Sequence, residues 1–319
     1  MHTFRYGSRK HSTSPMNKLT ALITILLISS SIYSQYQIGI IPRDSPDKGV
    51  YHKVGYTEVE VKYGSPAVKN RNIWGELVPY NTIWRAGANN ATTVHFKSDV
   101  IIDNNQLDSS TYALFIIPRE NDKWTVIFSH KPKQWGAFSH KQEDEVLRVD
   151  VLPRIKDDKT EHLTYSIRQV GFRHGIIVLR WDHIEIEIPF ETNYLRQFEE
   201  EVELRASKQD DDIKWIVYLQ GAEHLEEIQS NSELAFTWIN EAEKLMDSTS
   251  EWSEQFYPRD YIKGHLYWTK AKLYAQNGNL KNAIEYAERV TSMEDDRFYA
   301  RKKDEESIDE NLDAWKKKP

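Results

Sequence analysis

The residues best suited to chemistry in this 319-residue chain lie in one short string, Trp-Arg-Ala-Gly-Ala-Asn-Asn at positions 84–90. Arg85 carries a planar guanidinium that binds carboxylates and phosphates through paired hydrogen bonds. Asn89 and Asn90 offer amide donors and acceptors and tolerate left-handed backbone geometry. We expect Gly87 to adopt a backbone conformation that is closed to other residues.

Two interpretations of this string stay open. In the first, Trp84, Arg85, Asn89 and Asn90 line a pocket for a small anionic or polyhydroxyl ligand. In the second, Arg85 pairs with a buried carboxylate of the protein and the asparagines satisfy a turn. The two interpretations differ in whether the partner of the guanidinium is inside or outside the molecule.

A second candidate string, Gln134-Trp135-Gly136-Ala137, lies in a long polar loop predicted over 130–144. A tryptophan beside an amide can stack against the ring of a sugar or of an aromatic ligand. A loop tryptophan can equally cover a hydrophobic core. We therefore add Gln134 and Trp135 to the candidate ligand-binding residues with both roles open.

The sequence predicts neither a metal site nor a cofactor. Its 11 histidines never form HxH or HExxH, and the chain has no cysteine. GxSxG, GxxxxGK[ST] and GxGxxG strings do not occur. The adjacent acids Glu143, Asp144 and Glu145 are typical of a solvated face. Glycosidase chemistry on paired carboxylates has no local signature, so it stays open.

The composition excludes several classes of protein. The 49 acidic and 42 basic residues give a net charge of -7, which argues against a partner made of nucleic acid. The absence of cysteine excludes disulfides, thiolate metal sites and a cysteine nucleophile. Because 39% of the residues are hydrophobic, the chain can build ordinary cores.

The N-terminus has the pattern of a secretory signal peptide over residues 1–34. Lys18 precedes a short apolar run at 20–33, and small residues follow it. We expect translation to start at Met16 and cleavage to follow Ser34. Export to the periplasm, the cell surface or the medium follows, with no membrane span left after cleavage. An uncleaved signal anchor is the alternative.

Two domains are predicted from a change of charge and period near residue 190. Residues 35–190 contain 20 acidic and 20 basic residues, whereas 191–319 contain 29 and 18. Apolar residues recur at a period of two before this point and of 3.6 after it. The limits are 35–190 for a β domain, 191–210 for a linker or helix and 211–319 for a helical domain.

The predicted fold class is α+β: an antiparallel β-sandwich or barrel followed by a tetratricopeptide-like helical unit. Strands are predicted at 58–63, 91–97, 111–117, 123–129, 146–151, 161–169, 175–181 and 183–188. Helices are predicted at 191–206, 211–229, 232–246, 258–277, 280–292 and 296–316. Ala271, Gly278 and Ala283 stand at repeat-like positions, and a generic helical bundle is the alternative.

Five ordered strings resemble the family of exported bacterial proteins called domain of unknown function 2911, common in Bacteroidetes. They are Tyr63-Gly64-Ser65-Pro66, Leu77-Val78-Pro79-Tyr80, Trp84-Arg85-Ala86-Gly87-Ala88-Asn89, Thr111-Tyr112-Ala113-Leu114-Phe115 and Trp124-Thr125-Val126-Ile127-Phe128. Longer members end in a helical tail with a Trp-Lys pair, as at Trp315-Lys316. The resemblance implies export and architecture and names no activity. Ala86, Asn90 and Ser110 depart from the usual pattern.

The leading functional hypothesis is a non-catalytic module of the cell envelope that binds a ligand or a protein. The ligand would occupy the β domain, and a protein partner would use the helical domain. The alternative is a hydrolase or lyase that acts on a carbohydrate or peptidoglycan fragment. An enzyme requires carboxylates or histidines that converge near Arg85 and Trp135, whereas a binder requires only aromatic, amide and cationic groups there.

Overall fold

The computed structural model describes residues 42–249, 258–293 and 297–318. The predicted signal peptide, 1–34, lies outside the described residues. The chain divides after Thr192 into two compact units, each described by itself below.

The first unit contains two antiparallel sheets. Its strands are β1 (Asp47–Val54), β2 (Thr57–Gly64), β3 (Ala88–Phe96), β4 (Val100–Ile102), β5 (Asn105–Leu107), β6 (Ser110–Ile117), β7 (Trp124–Ser129), β8 (Glu145–Val151), β9 (Arg154–Val170) and β10 (His174–Thr192). Six form one sheet in the order β1-β2-β3-β6-β7-β8, and four form the other in the order β5-β4-β10-β9. The predicted succession of antiparallel strands is confirmed.

The alternating strands bury one face each, because successive side chains of a strand point to opposite sides. The inner faces of the two sheets share one hydrophobic core. Its fully buried members include Val59, Val61, Val94, Phe96, Leu114 and Val126 from the larger sheet and Leu163, Ile177, Leu179, Ile186 and Ile188 from the smaller one. Two layers around one core make this unit a β-sandwich.

A cluster of four tryptophans lies within this core. Trp74 packs against Trp84, Trp124 and Trp181 with ring centroids 4.7 to 5.8 Å apart. Trp84 and Trp181 stack on each other at 5.9 Å. The cluster places Trp84, a predicted ligand-binding residue, among the core side chains.

The predicted segments 175–181 and 183–188 form one strand, β10, and not two. Asp182, at a φ of +53°, interrupts the register with β9 without ending the strand. Sequence reasoning also missed β1, whose side chains are mostly exposed, and the three-residue strands β4 and β5. Short or exposed strands have little of the apolar alternation on which the prediction depends.

The second unit contains seven helices among its described residues. They are α1 (Tyr194–Ala206), α2 (Asp211–Glu227), α3 (Ser232–Ser248), α4 (Arg259–Gln276), α5 (Leu280–Thr291), α6 (Arg297–Lys302) and α7 (Ile308–Lys317). Ala271 and Ala283 are fully buried on α4 and α5, and Gly278 lies in the turn between these helices. Their assignment to tetratricopeptide repeats stays a prediction.

The single helix predicted over 296–316 is wrong in one respect, since the structure has two helices there. Ser307 adopts a φ of +49° immediately before α7, and a left-handed residue cannot continue a right-handed helix. Within the described residues, none of the helices has the length and apolar character that crossing a membrane requires.

Candidate functional site

The two candidate segments of the sequence meet through their backbones. Ala91 N donates to Gln134 O at 2.9 Å, and Gly136 N donates to Asn89 O at 3.1 Å. These bonds pair the start of β3 with the middle of the loop 130–144. Asn90 and Trp135 thereby form an isolated antiparallel β-bridge.

Hydrogen bonds to one carbonyl shape the first segment. Ala86 O accepts from Thr92 Oγ1 and from the buried Tyr165 hydroxyl, both at 2.9 Å. The expectation that Gly87 adopts a left-handed conformation is wrong, because Ala86 and Asn89 have the positive φ angles of +54° and +62°. Gly87 provides space instead, since an added Cβ would lie 2.7 Å from Thr92 Oγ1.

The loop itself is ordered by the side chain of Gln134, which is buried. Gln134 Nε2 donates to Lys131 O at 2.7 Å, and Gln134 Oε1 accepts from Ser139 Oγ at 3.1 Å. Gly136 follows at a φ of +66°, where a side chain would meet the ring of Phe138 at 2.8 Å. Gln134 therefore contributes to the site by shaping its wall.

Two carboxylates fasten the far end of the loop. Asp144 Oδ1 lies 2.8 Å from Lys131 Nζ, and this hydrogen bond lowers the pKa of Asp144. Glu145 Oε1 accepts from Arg148 Nη2 at 2.7 Å, which lowers the pKa of Glu145. His140 Nε2 lies 3.0 Å from the same Oε1 atom. All three contacts involve the ends of the loop.

A cleft of about 650 Å³ opens beside the paired segments. Its floor crosses three strands, because Gly49 of β1 lies opposite Lys62 of β2, which in turn lies opposite Thr93 of β3. Directly opposed residues share one face of a sheet. Lys62 is exposed between the buried Val61 and Tyr63, so this is the outer face of the larger sheet.

The wall of the cleft carries an exposed tryptophan. The side chain of Trp135 is 58% exposed, and the guanidinium of Arg43 lies 5.6 Å from the centre of its ring. Arg43 Nη1 also lies 3.6 Å from Asp47 Oδ2. Hydrogen-bonded backbone thus positions the Trp135 ring at the cleft, where the Arg43 guanidinium contacts it.

The structure places the predicted site residues in four different settings, of which Arg85 has its own. Asn90, Gln134 and Trp135 line the cleft. Asn89 supports it, since its Nδ2 donates to the carbonyl of Ser45 at 2.8 Å. Trp84 lies in the core, where its Nε1 donates to Gly87 O at 3.1 Å.

Arg85 lies on the outer face but outside the lining of the cleft. Trp84 and Ile116 exchange two backbone hydrogen bonds of 2.8 Å and both are buried in the core. The next opposed residues, Arg85 and Phe115, therefore point to the other side of the sheet.

The guanidinium of Arg85 has no charged partner in the described part of the chain. Its Nε is buried without a hydrogen bond, and burial alone lowers the pKa of Arg85. A carboxylate beside Arg85 would instead raise its pKa. The second interpretation of this residue, an internal ion pair, thus has no carboxylate among the described residues to support it.

The cleft residues that sequence reasoning missed include four charged ones. Lys48, Lys62 and Lys133 line it together with Asp47. The alternation of β2 could have identified Lys62, because it places this residue on the solvent face. Lys133 directly precedes the candidate residue Gln134. Lys48 had no such signal, because β1 was not predicted.

Among the described residues, Asp47 is the one carboxylate that lines this cleft, and no histidine lines it. Across residues 42–249, 258–293 and 297–318, no three His, Asp or Glu side chains group in a way that could hold a metal ion. The chemistry offered here consists of an aromatic face, an amide and several ammonium groups.

Comparison with known proteins bears on the first unit. A family model described as protein of unknown function (DUF2911) matches residues 45–190. No curated protein and no solved structure gives a significant match. The matched range covers nearly the whole sandwich, including both segments of the cleft. The sandwich of this chain therefore belongs to the DUF2911 family.

Proposed function

We propose that the sandwich is a non-catalytic binding module that holds the ring of a saccharide in the cleft, against Trp135. The observation that carries this proposal is the exposure of Trp135 at the wall of a cavity, on backbone fixed by hydrogen bonds at both neighbouring residues. Phe138, three residues later, is 91% exposed. Phe138 does not line the cleft, so Trp135 is the ring that this proposal places against the ligand.

The size and polarity of the cleft agree with a saccharide. Its volume of about 650 Å³ falls within the range of about 300–1,000 Å³ that is common for small-molecule sites. Trp135 offers an apolar face to a sugar ring, while the amide of Asn90 can donate to and accept from hydroxyl groups. The hydrolase alternative needs a second carboxylate beside Asp47, and none lines the cleft among the described residues.

Calorimetric titration with neutral and acidic monosaccharides tests the proposal. Trp135→Ala should weaken binding roughly tenfold or more, because the stacking surface is lost. Phe138→Ala is the matched control, since Phe138 belongs to the same loop but does not line the cleft, and it should bind like the wild type. Equal affinity of Trp135→Ala and wild type, or no binding of any saccharide by the wild type, would contradict the proposal.

Export and a protein partner for the helical unit belong to the same proposal. Export is supported by the sequence pattern of residues 1–34 alone, and the partner by the repeat-like pattern of the helices. The intact mass of protein from its native envelope should correspond to a chain that begins at Gln35. A mass that includes residues 1–34 would contradict cleavage.

A further inference from the structure

We propose that the saccharide is anionic, and that Lys62 and Lys133 bind its carboxylate, sulfate or phosphate group. This inference rests on the proposed function and adds the charge of the ligand to it. Its starting point is the lining of the cleft, which contains these two lysines and, among the described residues, one carboxylate, Asp47. Lys48 also belongs to the lining, but it lies opposite the buried Tyr63, so its side chain belongs to the other face of the sheet.

The protein itself leaves most of this positive charge unmatched. Lys62 Nζ lies 2.8 Å from Glu60 Oε2, yet its side chain is 66% exposed. Among the residues that the structure describes, Lys133 forms no ion pair, and its side chain is exposed. Asp47 does not compensate Lys133, because it already lies within ion-pair distance of Arg43.

The position of the lysines relative to the aromatic wall indicates a ligand with both an apolar face and a negative group. Lys133 lies two residues before Trp135 on the same loop, while Lys62 lies on the sheet floor. A ring against Trp135 is therefore approached by ammonium groups from the loop and from the sheet. Like charges raise the free energy of a bound cation, so an amino sugar is disfavoured.

Matched monosaccharides separate the charge of the ligand from its ring. We would measure the affinities of glucose, glucuronate, glucosamine and glucose 6-phosphate, and of galactose with galacturonate, at 20 mM and 300 mM NaCl. The wild type should bind an acidic member at least roughly fivefold more tightly than its neutral partner at low salt. The difference should shrink at high salt, because the lysines are exposed to screening ions. Glucuronate against glucose 6-phosphate distinguishes a carboxylate from a phosphate.

The double variant Lys62→Gln/Lys133→Gln should lose most of this preference and keep its affinity for the neutral sugar. Lys123→Gln is the matched control, since Lys123 is an exposed lysine of the same unit that lies outside the cleft. Equal affinities for neutral and acidic sugars in the wild type would overturn the inference while leaving the proposed function intact. A preference that survives in the double variant would overturn the assignment to these lysines. Failure of every sugar to bind would overturn the proposed function itself.

Discussion

The core of the sandwich and the cleft on its outer side use tryptophan in opposite ways. Trp84 is 8% exposed and stacks on Trp181, and its indole N–H is bonded within the protein. Trp135 is 58% exposed and borders a cavity. Both residues lie in polar strings that look alike in sequence, so residue type does not distinguish a stabilising ring from a binding ring. The side of the sheet to which each points makes the difference.

The largest expected effect separates the two rings by stability. Trp84→Ala should lower the free energy of unfolding of the sandwich by about 3–5 kcal/mol, because it removes a large buried side chain and leaves a cavity. Trp135→Ala should change it by less than about 1 kcal/mol, since it loses only an exposed ring and a cation contact. Denaturant unfolding followed by near-ultraviolet circular dichroism measures both.

Trp84→Phe serves as a second variant if Trp84→Ala does not fold, and should cost less than the alanine change. The comparison would fail if the variants at 84 and 135 were equally stable. It would also fail if the alanine at 135 were the more destabilising change.

These two residues also show how far the sequence leads. Alternation of apolar residues predicted β2 and β8, because each of these strands buries one face. The face to which Trp84 points depends on its pairing with Ile116, which is a long-range contact. Local sequence holds no record of such pairing.

The backbone of residues 84–90 also depends on long-range contacts that local sequence does not reveal. Gly87 was expected to have the special backbone angle, but Ala86 has it, because two hydrogen bonds hold the carbonyl of Ala86. One of them comes from Tyr165, 79 residues away in the chain. Lys48 was missed for a similar reason. It lies on β1, an exposed strand that is recognised only from its hydrogen-bonded pairing with β2.

A second prediction concerns the turn that presents Trp135. Gly136→Ala should destabilise the loop by about 1–3 kcal/mol, because alanine is strained at a φ of +66° and its Cβ would meet Phe138. We expect weaker saccharide binding and faster proteolysis within 130–144, measured by titration and limited digestion. Wild-type affinity together with wild-type protease resistance would show that the loop does not need this geometry.

Acid should loosen the same loop. The pKa of Glu145 is lowered, first by its hydrogen bond with Arg148, so folding favours the ionised carboxylate. Its contribution to stability is full above the ordinary glutamate pKa of about 4.3 and is lost as the pH falls through the lower folded-state value. Thermal unfolding between pH 6 and pH 2.5 should therefore show a loss confined to the acidic end.

Glu145→Gln should flatten this dependence on pH. The neighbouring Glu143→Gln is the matched control, because Glu143 is exposed and pairs only with Lys141. Identical pH profiles for the two variants would exclude Glu145 as the acid-sensitive group.

The smallest expected effect belongs to Arg85. Since no carboxylate pairs with it among the described residues, Arg85→Ala should leave the melting temperature nearly unchanged or raise it. Removing one partner of a buried ion pair would instead cost about 3–5 kcal/mol. A loss of that size in the thermal unfolding of the variant would show that Arg85 holds the fold together. In that case Arg85 would not be a ligand-binding residue.

The most direct test of the central claim observes the indole N–H signals of the chain's 10 tryptophans by nuclear magnetic resonance during titration with an acidic monosaccharide. The signal of Trp135, assigned through Trp135→Phe, should shift progressively with saturation. The signal of Trp84, assigned through Trp84→Phe, should stay fixed because its ring lies in the core. Shifts of Trp84 without Trp135, or an unchanged Trp135 signal at a sugar concentration that saturates the protein by calorimetry, would contradict the claim that the ring at the cleft binds the ligand.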